Sequence, residues 1–321
     1  IANFEHSGCD YTADDVIAEF SSNNPENFLF PFMEGVIANL KTLGKIRTSE
    51  TYAATLCSFR RFREDKDVTL DDMDSDMMMA YEAYLKNNGV SPNSSSFYMR
   101  NLRAVYNRAV EKGLTSQRFP FKHVYTGVEK TVKRAVPLKV IKKIKEMDFS
   151  MNPSFDFARD MFLMSFYTRG MSFVDMAYLR KKDLQNGVLS YRRRKTGQQL
   201  FIKWEKCMQE IVDKYDTSQS NYLLPIIKPF GDIDERKQYI YAAHNINRCL
   251  KIIGKELGLS VSLTLYVARH AWASIAKSKN VPLSVISEGM GHDSEATTRI
   301  YLASLDTMAI DKANSMILKS L

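Results

Sequence analysis

Cysteine is scarce in this 321-residue chain: the four present (Cys9, Cys57, Cys207, Cys249) lie far apart, without paired spacing. A structural zinc module needs close Cys or His pairs, and a disulfide-stapled domain packs more cysteines into a shorter chain. Neither pattern is present, so the thiols read as reduced, partly buried side chains of an intracellular, cytoplasmic protein. Long apolar runs are also missing. None approaches the ~20 residues that cross a bilayer, so no membrane partner is expected. The opening Ile1-Ala2-Asn3-Phe4-Glu5-His6 lacks the charged-then-apolar order of a secretion signal. It also lacks an initiator Met, which suggests a trimmed chain or a fragment of a longer protein. No repeat period and no low-complexity tract interrupts the sequence.

Hydrophobic residues make up 45% and charged residues 26%, the balance of a globular protein. The length suffices for two ordinary domains with separate cores. The net charge of +8 and pI of about 9.1 permit a polyanionic partner without requiring one. Whole-molecule charge does not say where the charge sits.

Residues 1–25 are polar and mixed. A helical stretch follows from Phe28 to Leu43, closed by Gly44. A second runs from about Ser49 to Arg63, with Tyr52, Leu56 and Phe59 at the three- and four-residue steps of a buried face. Thr69 and Asp72, with Asp71 between them, resemble a capping box for a third helix, Met73 to Lys86. Pro92 and Ser94 open a fourth helix that runs through Lys112 to Gly113. These helices make a small helical domain over residues 26–125. On the fourth, Arg100, Arg103 and Asn107 share one face. That face suits groove reading or plain solvent exposure equally, and Arg60, Arg61 and Arg63 pose the same choice. A junction over residues 126–136 carries Lys130, Lys133 and Arg134 and continues into Lys139, Lys142, Lys143 and Lys145. It reads as a solvated linker or as a basic strap along phosphates.

From residue 137 onward the pattern is mostly helical, with one exception. Gly187 to Trp204 has two β-rich arms about a polar Lys195-Thr196-Gly197 turn, a β-hairpin. The fold class is therefore mainly α, two helical domains, the second (137–321) with a small antiparallel β-sheet.

Two segments carry the chemistry. Thr264-Leu-Tyr-Val-Ala-Arg-His-Ala-Trp-Ala-Ser274 sets Arg269 and His270 near the start of an apolar helix. Gly289-Met-Gly-His-Asp-Ser-Glu-Ala-Thr-Thr-Arg-Ile-Tyr301 follows. Together they resemble the signature of the tyrosine recombinase (phage integrase) family: an Arg-His pair, then Gly-His, then a tyrosine nine residues beyond that histidine. The resemblance spans nearly the whole chain and is most specific from Tyr266 to Tyr301. It implies an N-terminal core-DNA-binding domain, a catalytic domain, and duplex DNA as substrate. It also implies a preceding arm-binding domain of which residues 1–25 are the tail.

The family's reaction explains these residue types. Phosphodiester cleavage builds negative charge on the non-bridging oxygens, which fixed donors in a water-poor site stabilise. Arg269 matches the family's second arginine, whose planar fork donates paired hydrogen bonds and stays charged. His292 matches the later histidine, a donor to the same phosphate. Tyr301 matches the nucleophile, which forms a 3′-phosphotyrosine and frees a 5′-hydroxyl. The covalent intermediate conserves the bond energy, so neither ATP nor a metal is needed. Lys195 matches the hairpin lysine that protonates the departing 5′-oxygen.

Two positions depart from the pattern. The family's first arginine falls at Ser172 when Asp175 is aligned with the family's acid. Arg169, one helical turn earlier if the helix continues, is expected to deliver a guanidinium instead. Tyr266 fills the slot of a histidine three residues before Arg269, and a phenol with a pKa of about 10 donates well but is a poor base. Both departures resemble integrases of conjugative transposons. His270 is expected to pack rather than touch substrate. The reading is two domains closing around duplex DNA, monomeric when free and tetrameric on synapsed sites. The alternatives are a type IB topoisomerase-like enzyme and a DNA-binding regulator with weakened catalysis.

Overall fold

The structure is a computed structural model and describes residues 25–129, 135–228, 233–302 and 314–319. The side chains of Glu26, Ile300 and Tyr301 are outside that description, as are Cys9, Lys130, Lys133 and Arg134. The chain divides into two units, residues 1–131 and 132–321.

In the first unit, α1 (Leu29–Thr42), α2 (Ile46–Phe62), α3 (Ser75–Asn87) and α4 (Pro92–Glu111) enclose one core. Tyr52, Leu56 and Phe59 of α2 are buried, as their spacing predicts. Phe59 and Tyr81 meet edge to face at 5.0 Å, and the buried Tyr81 hydroxyl donates to Ser58 Oγ at 2.8 Å. One expected cap is misplaced. Thr69 and Asp72 do bond reciprocally, but within a separate turn. The cap of α3 is Asp74, whose carboxylate accepts from Met77 N–H at 2.8 Å. Of the thiols expected to be partly buried, Cys207 is, while Cys57 is exposed and Cys249 fully buried.

In the second unit, α5 (Leu138–Glu146) buries Ile141 and Ile144 and exposes its lysines. The α6 helix (Pro153–Tyr167) is the unit's centre, with Ala158 and Met161 to Met164 buried around its circumference. A helix apolar on every side must be surrounded, and α9 (Glu235–Glu256) and α10 (Leu265–Ser278) pack against it. The short α7 (Phe173–Ala177) leads to a three-stranded antiparallel sheet, β1 (Leu184–Gln185), β2 (Val188–Arg192) and β3 (Gln199–Lys203), in that order. Leu189 pairs with Ile202 and Tyr191 with Leu200, which puts these apolar residues on one buried face. The second unit also holds α8 (Lys206–Asp213), α11 (Leu283–Gly289) and α12 (Glu295–Leu302). No helix among the described residues is long and apolar enough to cross a membrane.

Candidate active site

Two helix ends, built the same way, present the site. At the first, α11 stops at Met290, and Gly291 turns left-handed at φ +65°. Gly291 N–H donates to Glu288 O at 2.9 Å and His292 N–H to Ser287 O at 3.0 Å, the paired bonds of a Schellman motif. A Cβ on Gly291 would stand 2.9 Å from Leu200 Cδ1 and 3.2 Å from Arg193 Cδ. Glycine is therefore required for conformation and for space, and the turn delivers His292.

The second is the end of α6. Arg169 N–H donates to Phe166 O at 3.2 Å and Gly170 N–H to Ser165 O at 2.8 Å, the same motif. Here the left-handed position that favours glycine holds Arg169, at φ +61°. The condition of a helix continuing through Arg169 is not met: the helix ends at Tyr167, and the strained turn sets the side chain. That conformation costs roughly 1 kcal/mol in a residue with a Cβ. Strain of this kind points to a functional constraint. A Cβ on Gly289 would lie 3.6 Å from Arg169 Cδ, so the Arg169 stem passes the end of α11, next to the turn that delivers His292. Half-buried, its guanidinium makes no side-chain hydrogen bond or ion pair among the described residues.

Arg269, in the second turn of α10, is buried between these ends. Its Nη1 donates to Gly170 O and its Nη2 to Met290 O, both at 2.7 Å. A Cβ on Gly170 would stand 2.7 Å from Arg269 Cα, so only glycine lets the two backbones approach this closely. Arg269 Nη2 is also 2.9 Å from His292 Nε2. A guanidinium cannot accept, so Nε2 must. The neutral ring then carries its proton on Nδ1, which donates to Thr298 Oγ1 at 2.7 Å. Thr298 is fully buried on α12, one turn before Tyr301. The His292–Thr298 bond thereby ties the helix that bears Tyr301 to the cluster.

The hairpin turn is held from beneath. Ser172 caps α7 through the Asp175 N–H and donates to Asp175 Oδ2 at 2.6 Å, which accounts for a serine at the first-arginine position. The buried Asp175 also accepts the Arg194 N–H at 2.9 Å. Arg193, buried, donates to Gly291 O and so connects the hairpin to the His292 turn. Lys195 is exposed at the tip, close enough to act electrostatically on His292. Tyr266 is 60% exposed, its ring edge-on to the buried His270 at 4.6 Å, so His270 takes a packing place.

Burial, then Arg269, Arg193 and Lys195, push the His292 pKa down to about 4 from its ordinary 6.5. The folded protein therefore prefers the neutral ring. The contribution is complete above pH 6.5 and is lost as pH falls towards 4, where the unfolded ring takes up a proton first. The melting temperature of wild type should fall relative to His292→Gln as pH drops through this window. Parallel curves would exclude the buried, neutral assignment.

Sequence reasoning missed Arg193, Thr298 and Gly170. The Arg192-Arg193-Arg194 run was visible but does not say which arginine turns inward.

Residues 28–124 match the phage integrase SAM-like domain and residues 138–308 the phage integrase family. No curated protein matches by sequence. Among solved structures, the chain is similar to a lambda integrase dimer bound to a COC′ core site. That likeness has 17% identity and a TM-score of 0.67, and it covers 94% of this chain and 83% of that one. A lambda integrase tetramer bound to a Holliday junction gives 18% identity and a TM-score of 0.64, over 94% and 84% of the two chains. The Tn1549 transposon integrase, in complex with a circular intermediate DNA, gives 15% and 0.59, over 84% and 94%. With the family match extending over more than half of its length, this chain belongs to the phage integrase family of tyrosine recombinases, site-specific enzymes that cleave and rejoin DNA.

Proposed function

We propose that Tyr301 attacks the scissile phosphate and forms a 3′-phosphotyrosyl intermediate, with Arg269 and Arg169 as phosphate donors, His292 as a donor once the phosphate displaces the Arg269 contact and the ring proton moves to Nε2, and Lys195 as the acid for the 5′-oxygen. The observation that carries this is the convergence on one point of the α6 end, the α11 end, Arg269 and the helix bearing Tyr301. Fixed donors around developing charge are the arrangement phosphoryl chemistry needs. The test is covalent trapping: a nicked suicide duplex carrying the recognition site should retain the intact protein on its 3′ end. Failure to trap any linkage would favour a DNA-binding regulator. A trapped complex that relaxes supercoils without exchanging partners would favour topoisomerase-like chemistry.

Roles follow for individual residues. Arg169→Ala should lower cleavage about a hundredfold, the scale of one lost charged donor, with DNA binding little changed. A loss of binding equal to the loss of cleavage would remove it from the transition state. Lys195→Ala should cleave an ordinary phosphate poorly and recover on a 5′-bridging phosphorothiolate, whose thiolate leaves without a proton. Equal defects on both substrates would make the lysine merely structural. Tyr266, exposed beside His270, suits a donor to an approaching phosphate.

In the N-terminal unit Arg100, Arg103 and Asn107 are exposed along α4, and this face reads the DNA groove. The 126–136 junction contributes phosphate contacts from Lys130, Lys133 and Arg134. The solved relatives include a dimer on a core site and a tetramer on a Holliday junction. This chain accordingly assembles as a homotetramer on synapsed DNA from free monomers. After Tyr301 the sequence carries an apolar stripe, Leu305, Ala309, Ala313 and Met316 with Ile310 and Ile317 beside it, which the family resemblance docks on a neighbouring protomer; of these, Leu305, Ala309, Ile310 and Ala313 lie outside the described residues. Met316, Ile317 and Leu318 are exposed at 66%, 62% and 60%, which suits docking in trans.

A further inference from the structure

One loop of the N-terminal unit exposes a residue that ordinary folding would bury. Phe119 is 65% exposed and left-handed at φ +52°. A bulky side chain in that region is strained, and an exposed phenyl forgoes its hydrophobic stabilisation. The loop around it is not loose. Tyr106 Oη donates to Ser116 O at 2.8 Å, Arg118 Nη1 to Asp71 O at 2.9 Å, and Thr115 Oγ1 to Asp71 Oδ1 at 2.7 Å. A rigid support that holds out a strained aromatic is the arrangement of a contact prepared in advance.

Phe119 borders a groove of about 540 Å³ that also includes Arg103, Asn107, Gln117, Phe121 and Lys122. The lining has two cations and no carboxylate, which suits a polyanion. The amide orientations follow from one backbone group. Phe119 N–H can only donate, so the Gln117 atom 3.0 Å away is Oε1. Gln117 Nε2 then faces Asn107 at 3.3 Å, and Asn107 must answer with Oδ1. What Asn107 presents outward is its NH₂ group.

A hydrogen-bond donor beside an exposed aromatic ring discriminates among base edges. In the major groove adenine presents an acceptor and an amino donor but no methyl, cytosine an amino donor, guanine acceptors without a methyl, and thymine alone an acceptor and a methyl together. We infer that this groove reads a thymine of the target duplex, Asn107 Nδ2 donating to O4 and the Phe119 ring packing on the 5-methyl. Arg103 and Lys122 hold the flanking phosphates. The inference rests on the recombinase reading and adds the base that the N-terminal unit selects.

The test uses the full chain. Duplexes are enriched from a random library by binding, and each thymine of the winner is then replaced by uracil, which removes only the methyl. One position should weaken about fourfold, the scale of one buried methyl. Phe119→Ala should weaken the thymine duplex by a similar factor, with uracil at that position giving no further loss. Asn107→Leu should erase the preference for thymine over cytosine there. Phe119→Gly, which suits the left-handed backbone, should reproduce the alanine result and so separates the ring from folding. An undiminished uracil effect in both Phe119 variants, or no sensitive thymine, overturns the inference while leaving sequence-specific binding intact. No enrichment over bulk DNA would overturn the recombinase reading as well.

Discussion

Tyr301→Phe should yield no covalent protein–DNA complex on a suicide duplex that traps the wild-type protein quantitatively. The substitution removes one oxygen and leaves the ring, so packing changes little and the loss is chemical. Thr298 Oγ1 accepts from His292 and is fully buried, and a buried, engaged hydroxyl cannot reach a phosphate. DNA binding should stay within a factor of about three, because a single uncharged hydroxyl adds little to an affinity dominated by phosphate charge. Gel mobility under denaturing conditions measures the first outcome and fluorescence anisotropy the second. Persistent 3′-linked protein with Tyr301→Phe would move the nucleophile elsewhere, and mapping the linked peptide would show where.

Arg269→Lys should lower cleavage by a factor of a hundred to a thousand, although the charge is kept. A single ammonium cannot donate in two fixed directions as the guanidinium does. In this protein those directions are used: one arm holds Gly170 O, the other Met290 O and His292. Losing the fork frees both helix ends at once, and Arg169 and His292 lose their registration along with Arg269. The variant also leaves a buried carbonyl without its donor, which costs about 1–3 kcal/mol, so a lower melting temperature should accompany the rate defect. Cleavage must be assayed well below that temperature. A rate within threefold of wild type in the folded variant would show that the charge alone matters and that the backbone contacts are incidental.

The parts of the site legible in the sequence share a property: they lie close together along the chain. Arg269, His292 and Tyr301 were singled out by a local spacing that resembles the family signature, and the hairpin of Lys195 by two short β-rich arms around a polar turn. The helical domains followed from apolar periodicity. What escaped depends on contacts between distant segments. Arg269 meets Gly170 across 99 residues and Arg193 meets Gly291 across 98, and no local pattern encodes either. For Arg169 one condition is not met: a helix continuing past it would have placed it one turn before Ser172, whereas the chain breaks there and Ser172 starts a new helix. A glycine shortly after an apolar helix is a usable signal for such an ending, and Gly170, three residues beyond Tyr167, gave it. Thr69 was mistaken for a helix cap because its pairing with Asp72 is real but belongs to a turn.

Arg169 also sets stability and activity against each other at one position. A glycine there would relieve the left-handed backbone and raise the protein's resistance to heat, while removing the guanidinium proposed to meet the phosphate. Populations selected only for thermal survival should therefore drift to glycine at 169, and populations selected for recombination should retain arginine. Sequencing the two pools would show whether this turn has been kept strained by its chemistry.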